Sequence, residues 1–305
     1  MSRVSDFGQS QLTLYYLAST QKRLFDTQNT VSTGKVAPDF AGLGADSSRF
    51  VNLQASVARV DQYLKNAQIV DQRLAQMETI NGQVFTIASN FKTLLVNGLN
   101  ANQAADLDLG QKAQDMLTQI SGLLNSQLDG RYLFSGTATD TAPVDVNAAG
   151  FVTPPGVYPG TADTGYYQGN ATKLSARLDE SFDLSYGVTA DNAGYEQLIR
   201  ALRLAADATL APQDQNRLDE ALRVVNDAIQ AIPNITGQIG SARAVIESIG
   251  NKHTDFKQFA DKAVGDLANV DVARAVTLLT QDQTTLEASY QVVARLSQLS
   301  LSNFL

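Results

Sequence analysis

Apolar residues recur at alternating steps of three and four over two stretches too long for a globular core. In the first, Phe50, Leu53, Val57, Val60, Leu64 and Ala67 keep the alternation. After one extra step of three it resumes at Val70, Leu74, Met77, Asn81, Val84, Ala88, Phe91 and Leu95. The repeated three-step is a stammer, which overwinds a coiled coil locally without ending it. A helix over about 48–97 would be roughly 75 Å long at 1.5 Å per residue. In the second stretch, Ile235, Ile239, Ala242, Ile246, Ile249, His253, Phe256, Ala260, Ala263, Leu267 and Val270 hold the pattern without a slip. The fold class expected is mainly α: a long antiparallel coiled-coil-like helical rod. Shorter helices are predicted over 106–129, 191–209 and 213–231, with Asp191 and Pro212 as start signals for the last two.

Between the arms the composition changes. Pro143, Pro154, Pro155 and Pro159 are four of the seven prolines, and Gly, Thr, Tyr and Asp are frequent from Gly130 to Gly194. These residues favour turns and strands, so a small β-rich inserted domain is predicted there. The segments are then 1–48, an N-terminal helix and loop; 49–130, the first arm; 131–187, the insert; 188–271, the second arm; and 272–305, a C-terminal helix.

The terminal segments carry a thin seven-residue stripe: Leu17, Leu24 and Val31 near the start, and Val272, Leu279, Leu286 and Val293 near the end. From 272 to 305 only Arg274, Asp282, Glu287 and Arg295 are charged. An exposed helix normally carries more charge. Such helices are suited to burial by partner chains, or by the rest of an ordinary bundle. Alone, they bury too little apolar surface to offset ordering entropy, so 1–35 and 275–305 are expected to be mobile in a free monomer.

Composition excludes much chemistry. The chain has no Cys, one His and a formal net charge of -8. Disulfides, thiolate sites, Cys nucleophiles and multi-His metal sites are therefore out. An acidic chain without clustered Lys/Arg does not suit nucleic acid, and no run of about 18 apolar residues offers a membrane span. Residues 1–10 lack the apolar core of a cleaved secretory signal. No catalytic, cofactor-binding or metal-binding residues are assigned. His253 lies on the inward stripe and reads as a core histidine. Gly42 to Ser47 lacks the strand and Lys of a phosphate loop. Asp106, Asp108, Asp140, Asp145, Asp163, Asp179, Glu180 and Asp183 fit no Ca²⁺ loop. Asn170-Ala171-Thr172 and Asn234-Ile235-Thr236 match a glycosylation pattern short enough to arise by chance. Asn81 is either a register-setting polar residue within the stripe or an edge position.

At its ends the sequence resembles flagellins and flagellin-like hook-associated proteins. The resemblance rests on Ser32-Thr33-Gly34-Lys35 after the first helix. It rests also on Gln281-Asp282-Gln283-Thr284-Thr285-Leu286-Glu287-Ala288-Ser289-Tyr290, leading to the Leu-rich end at Leu296 to Leu305. It covers about 1–135 and 186–305. Two interior segments are similar to the family member that joins hook to filament: Gly130-Arg131-Tyr132-Leu133-Phe134-Ser135-Gly136-Thr137, and Gly187 to Asp191 followed by Tyr195 to Leu202. The trio Tyr132-Leu133-Phe134 favours a strand just after a Gly. The loop Ala37-Pro38-Asp39-Phe40 departs from the acidic-acidic-proline cluster common in the family.

The resemblance implies a non-enzymatic structural subunit of the bacterial flagellum. It implies self-assembly through an interface carried by Leu17, Leu24, Val31, Val272, Leu279, Leu286, Val293, Leu299, Leu301, Phe304 and Leu305. Implied partners are further copies, a hook-side junction protein, flagellin and an export chaperone. The location would be extracellular, reached through the flagellar export apparatus without a cleaved signal. A filament-forming flagellin is the nearest alternative. A surface adhesin using Tyr158, Tyr166 and Tyr167 of the insert is an alternative of another class.

Overall fold

The computed structural model describes residues 2–37, 39–100, 108–149, 151, 161–208 and 214–302, without the side chains of 2–7, 9–10, 40–41, 100 and 296–302. The chain divides into two compact units: residues 1–59 with 255–305, and residues 60–254.

The larger unit is built around α2 (Ser47–Asn100) and α5 (Gln215–Ala268), each of which continues into the smaller unit. All eight residues of the resumed stripe, Val70 through Leu95, are buried, with at most 2% of any exposed. Successive contacts run in opposite directions along the two helices: Asn81 meets Thr236, Arg243 meets Asp71 and Glu78, and Tyr63 stacks on His253. The pair is thus antiparallel within this unit. Two amphipathic helices, α3 (Leu109–Leu124) and α4 (Ala193–Ala208), pack closely on each other and complete the core. Leu109, Ala113, Leu117, Ile120 and Leu124 supply the apolar face of α3, and Leu198, Ile199, Leu202 and Ala205 that of α4. This spacing is the helical period that buries one face.

Some element boundaries differ from the sequence prediction. Helix α3 stops at Leu124, because Asp129 and Gly130 both take positive φ and close a two-residue hairpin between β1 (Gln127–Leu128) and β2 (Arg131–Tyr132). Asp-Gly favours that turn. Only Tyr132 of the β-favouring trio lies in a strand; Leu133 and Phe134 are core residues, 1% and 0% exposed. Asn192 rather than Asp191 opens α4, since its carbonyl accepts from Tyr195 and Glu196 and its side chain from Gly194. No break separates 213–231 from the second arm: α5 runs through Pro233. The ring costs one intrahelical donor. Pro233 is exposed, while Ile232 and Ile235 on either side are buried and hold the helix together. Phe256, predicted to face inward, is 37% exposed. Pro212 lies outside the described residues.

The insert is small. Strands β3 (Leu174–Asp179) and β4 (Phe182–Tyr186) pair antiparallel, Leu174 opposite Tyr186, with an irregularity between Arg177 and Asp179. The hairpin is tied to both long helices. Asn66 donates to Arg177 O (2.9 Å), Lys252 pairs with Asp179 (2.8 Å), and His253 donates from Nε2 to Leu178 O (2.6 Å). Among the described residues, the rest of the insert is turns, with an isolated bridge from Val144 to Tyr167.

The smaller unit contains α1 (Ser2–Thr33), a 3₁₀ segment at Phe40–Asp46 and α6 (Val272–Ser302). Helix α1 ends at Gly34, whose φ of 69° is the left-handed conformation typical of helix ends. There the backbone joins the end of α5: Val270 N donates to Gly34 O (2.9 Å) and Val36 N to Ala268 O (2.8 Å).

Candidate assembly interface

Helices α1 and α6 pack against each other in antiparallel fashion. Arg23 donates to Asp282 Oδ1 at 2.8 Å, and Gln21 donates to the hydroxyl of Tyr290, about two turns further along α6. Asp282 is only 7% exposed. This uses one of the few charges on α6 inside the chain.

Along this pair the seven-residue stripes are half-buried: Leu17, Leu24 and Val31 on α1, and Leu279, Leu286 and Val293 on α6. Stripe residues with this burial belong to the seam between the two helices. Val272, at 49% exposed, stands apart from the seam. The side chains of Leu299 and Leu301, and all of Phe304 and Leu305, lie outside the described residues.

A second apolar set remains in solvent. On α1 these are Leu12 (56% exposed), Leu14, Tyr15, Tyr16 and Phe25 (62%); on α6, Val276, Leu278, Tyr290 and Val292. Tyr15 and Tyr16 touch edge-to-face, with centroids 5.9 Å apart. Phe259 near the end of α5 is 63% exposed. Scattered exposed apolar residues are ordinary, but several large ones on two adjoining helices leave an apolar surface in contact with water. Covering each would contribute about 1 kcal/mol, half the value for burying such a side chain from full exposure. The heptad template missed these residues because it selects only one seam. Apolar residues off that seam on a helix poor in charge were the available signal.

The other candidate residues have structural partners. Among the described residues no three His, Cys, Asp or Glu gather where a metal could bind, and no helix is long and apolar enough to cross a membrane. His253 is 4% exposed, satisfied by Leu178 O and stacked on Tyr63. Asp145 and Asp163 accept from backbone N–H groups two residues on, as turn-forming carboxylates do. Gly42 to Asp46 lies in the 3₁₀ segment, where Asp39 accepts from Gly42 N. Asn170 spends its amide on Thr137, accepting from its N and Oγ1 and donating back to Oγ1. Tyr166 is fully buried and donates to Ala190 O (2.9 Å), while Tyr167 donates to Asn170 O (2.7 Å). Burial pushes both phenols up from their ordinary pKa. The Tyr166 ring offers no ligand-binding face, and Tyr167 is half-buried with its hydroxyl committed to Asn170; Tyr158 and Asp106 lie outside the described residues.

Comparison with known proteins agrees with this arrangement. Residues 4–139 match the bacterial flagellin N-terminal helical region, and residues 222–305 match the bacterial flagellin C-terminal helical region. Flagellar hook-associated protein 3 of Escherichia coli (strain K12) is 23% identical over 299 residues, covering 89% of each chain. The Salmonella typhimurium protein of the same name is 20% identical over 313 residues, covering 93% of this chain and 94% of the relative. A solved structure described as a flagellar hook-associated protein from Vibrio parahaemolyticus shares the fold. Its TM-score is 0.60 at 19% identity, over 76% of this chain and 99% of that one.

Proposed function

As a member of the bacterial flagellin family, this chain is a structural subunit of the flagellum, and we propose that it joins hook to filament by packing α1 and α6 against neighbouring subunits. The observation that carries the reading is the exposed apolar set on α1 and α6, part of it in the uncharged stretch from Phe7 to Gln21. Such a face is unfavourable in water and becomes favourable once a neighbour covers it. Curated relatives matched along nearly the whole chain are named for the hook-associated role.

The assembling segments are 1–48 and 272–305. Arms 49–130 and 188–271 carry the insert at 131–187. The stripe residues Leu17, Leu24, Val31, Leu279, Leu286 and Val293 hold α1 to α6. Leu12, Tyr15, Tyr16, Phe25, Leu278 and Val292 meet the neighbour, with Val272, Leu299, Leu301, Phe304 and Leu305 extending the same surface. A head-to-tail contact of this kind repeats along a helix instead of closing. Other axial proteins of the flagellum are the partners, and an export chaperone covers the apolar faces before assembly. Export proceeds without a cleaved signal, and the chain performs no catalysis.

Deleting the gene and imaging cells by electron microscopy tests the role. Bare hooks, with flagellin lost to the medium, support it. Hooks that still carry filaments contradict it, and hooks lacking filament protein altogether favour the flagellin reading.

A further inference from the structure

Arg73 on α2 is a buried cation with no counter-ion among the described residues. It is 7% exposed, its Nε has no hydrogen-bond partner, and its one bond runs from Nη2 to Tyr132 O at a long 3.4 Å. Elsewhere in the same unit Arg200, Arg203, Arg223 and Arg243 each reach a carboxylate. A buried charge is costly unless paired. The exception is pronounced in a chain with 31 acidic residues against 23 basic ones.

Beside Arg73, an open groove of about 610 Å³ lies between α2, α5 and the base of the β3–β4 hairpin. Leu74, Tyr186, Val188 and Ile239 make its apolar floor, and Lys173 is the one charged residue lining it. The Tyr186 phenol lies within electrostatic reach of both Arg73 and the exposed Arg131. An apolar floor with a cationic border calls for an aromatic side chain flanked by carboxylates.

The same unit presents such an element. At the tip of the β3–β4 hairpin, Glu180 and Asp183 are exposed on either side of Phe182, itself 38% exposed. Asp183 stands opposite Arg177 across the strands, while Glu180 has only backbone contacts. Tip and groove share one hairpin: Ser181 and Ser185 are four positions apart, about 13 Å of strand. A tip therefore cannot fold back into its own groove.

We propose that the hairpin tip of one copy, Glu180 to Asp183, docks in the Leu74–Tyr186 groove of a neighbouring copy, with its carboxylates facing the exposed Lys173 and Arg131 and adding negative charge near the buried Arg73. The contact is heterologous, the same tip meeting the same groove from copy to copy. It rests on the assembly reading above and adds a second contact, in the larger unit, to the one made by α1 and α6.

Because the chain has no cysteine, the test is clean. Ser181→Cys and Ser185→Cys are introduced together, and flagella from the host are oxidised and run without reductant. A disulfide needs Cβ atoms about 4 Å apart, so any bridge between these positions joins two molecules. The proposal predicts a ladder of dimers, trimers and higher multimers, reduced to dimers at most in either single variant. It also predicts loss of the ladder on adding Arg131→Glu with Lys173→Glu, and its return when Glu180→Lys and Asp183→Lys are added. Flagella that contain the chain but give no ladder overturn the proposal, as does a ladder indifferent to the charge reversals. Absence of the chain from the flagella would instead overturn the assembly reading itself.

Discussion

Tyr195 on α4 donates its phenolic hydrogen to Asn81 Oδ1 at 2.9 Å, deep between α2 and α5, where both residues are fully buried. The Asn81 amide continues the chain of bonds, donating to Thr236 Oγ1 (2.8 Å) and Ile232 O (3.3 Å). A polar residue inside an apolar stripe is satisfied at only one alignment of the helices, which fixes their register. Burial also pushes the Tyr195 phenol up from its ordinary pKa, so it stays a donor across the physiological range. Tyr195→Phe leaves Asn81 Oδ1 without its donor and is predicted to cost about 1–2 kcal/mol, read as a lower urea midpoint with an unchanged m-value.

Two glycines give opposite outcomes. Gly136 has a φ of 69°, and a Cβ there would lie 2.2 Å from Asn170 O. Gly136→Ala is predicted to destabilise by about 3 kcal/mol, from strain and a backbone clash. Gly82 sits mid-helix in α2 with nothing within 4 Å of a new Cβ. Gly82→Ala is predicted to stabilise by about 0.5–1 kcal/mol through lower unfolded-state entropy. Thermal unfolding of both variants checks the pair.

The sequence pattern made the α2 stripe legible down to single residues, because nothing competes with a 3.5-residue period over so long a helix. Asn81 could be placed on the stripe but not assigned a role, since its partners Tyr195 and Thr236 arrive from distant segments. The join between 213–231 and the second arm was not legible, because the continuity of α5 through Pro233 depends on the packing of Ile232 and Ile235. The burial of the terminal helices was legible only in part. Seven-residue spacing picks out Leu17, Leu24 and Val31, which the structure places at the α1–α6 seam, and passes over Leu12, Tyr15 and Phe25, which stay exposed. Which apolar face a helix gives to its own chain depends on the partner helix, and that is not written locally.

Acid should loosen the hairpin. The ammonium of Lys252 donates to Asp179, Glu180 N donates as well, and together they hold the Asp179 carboxyl below its ordinary range. A group whose pKa is depressed by folding stabilises fully above its unfolded value, near 4, and loses that contribution as pH falls through the lower folded value. NMR titration of Asp179 should show a midpoint below that of a free aspartate, moving upward in Lys252→Gln. A midpoint at or above the ordinary value would remove this anchor.

Free and assembled chains should differ at their ends. Residues 1–35 and 275–305 are predicted to exchange backbone hydrogens quickly in a verified monomer and slowly in isolated flagella, because the exposed apolar faces gain cover only on assembly. Strong protection of both ends in the monomer would place their stability within the single chain.

The most direct test is to complement the deletion strain with a chain carrying Leu12→Ser, Phe25→Ser and Val292→Ser. These side chains are 56%, 62% and 52% exposed, so the larger unit should unfold as in the unaltered chain. The account predicts that the variant is exported and recovered from the medium while hooks remain bare. Filaments restored to normal length and number would contradict it.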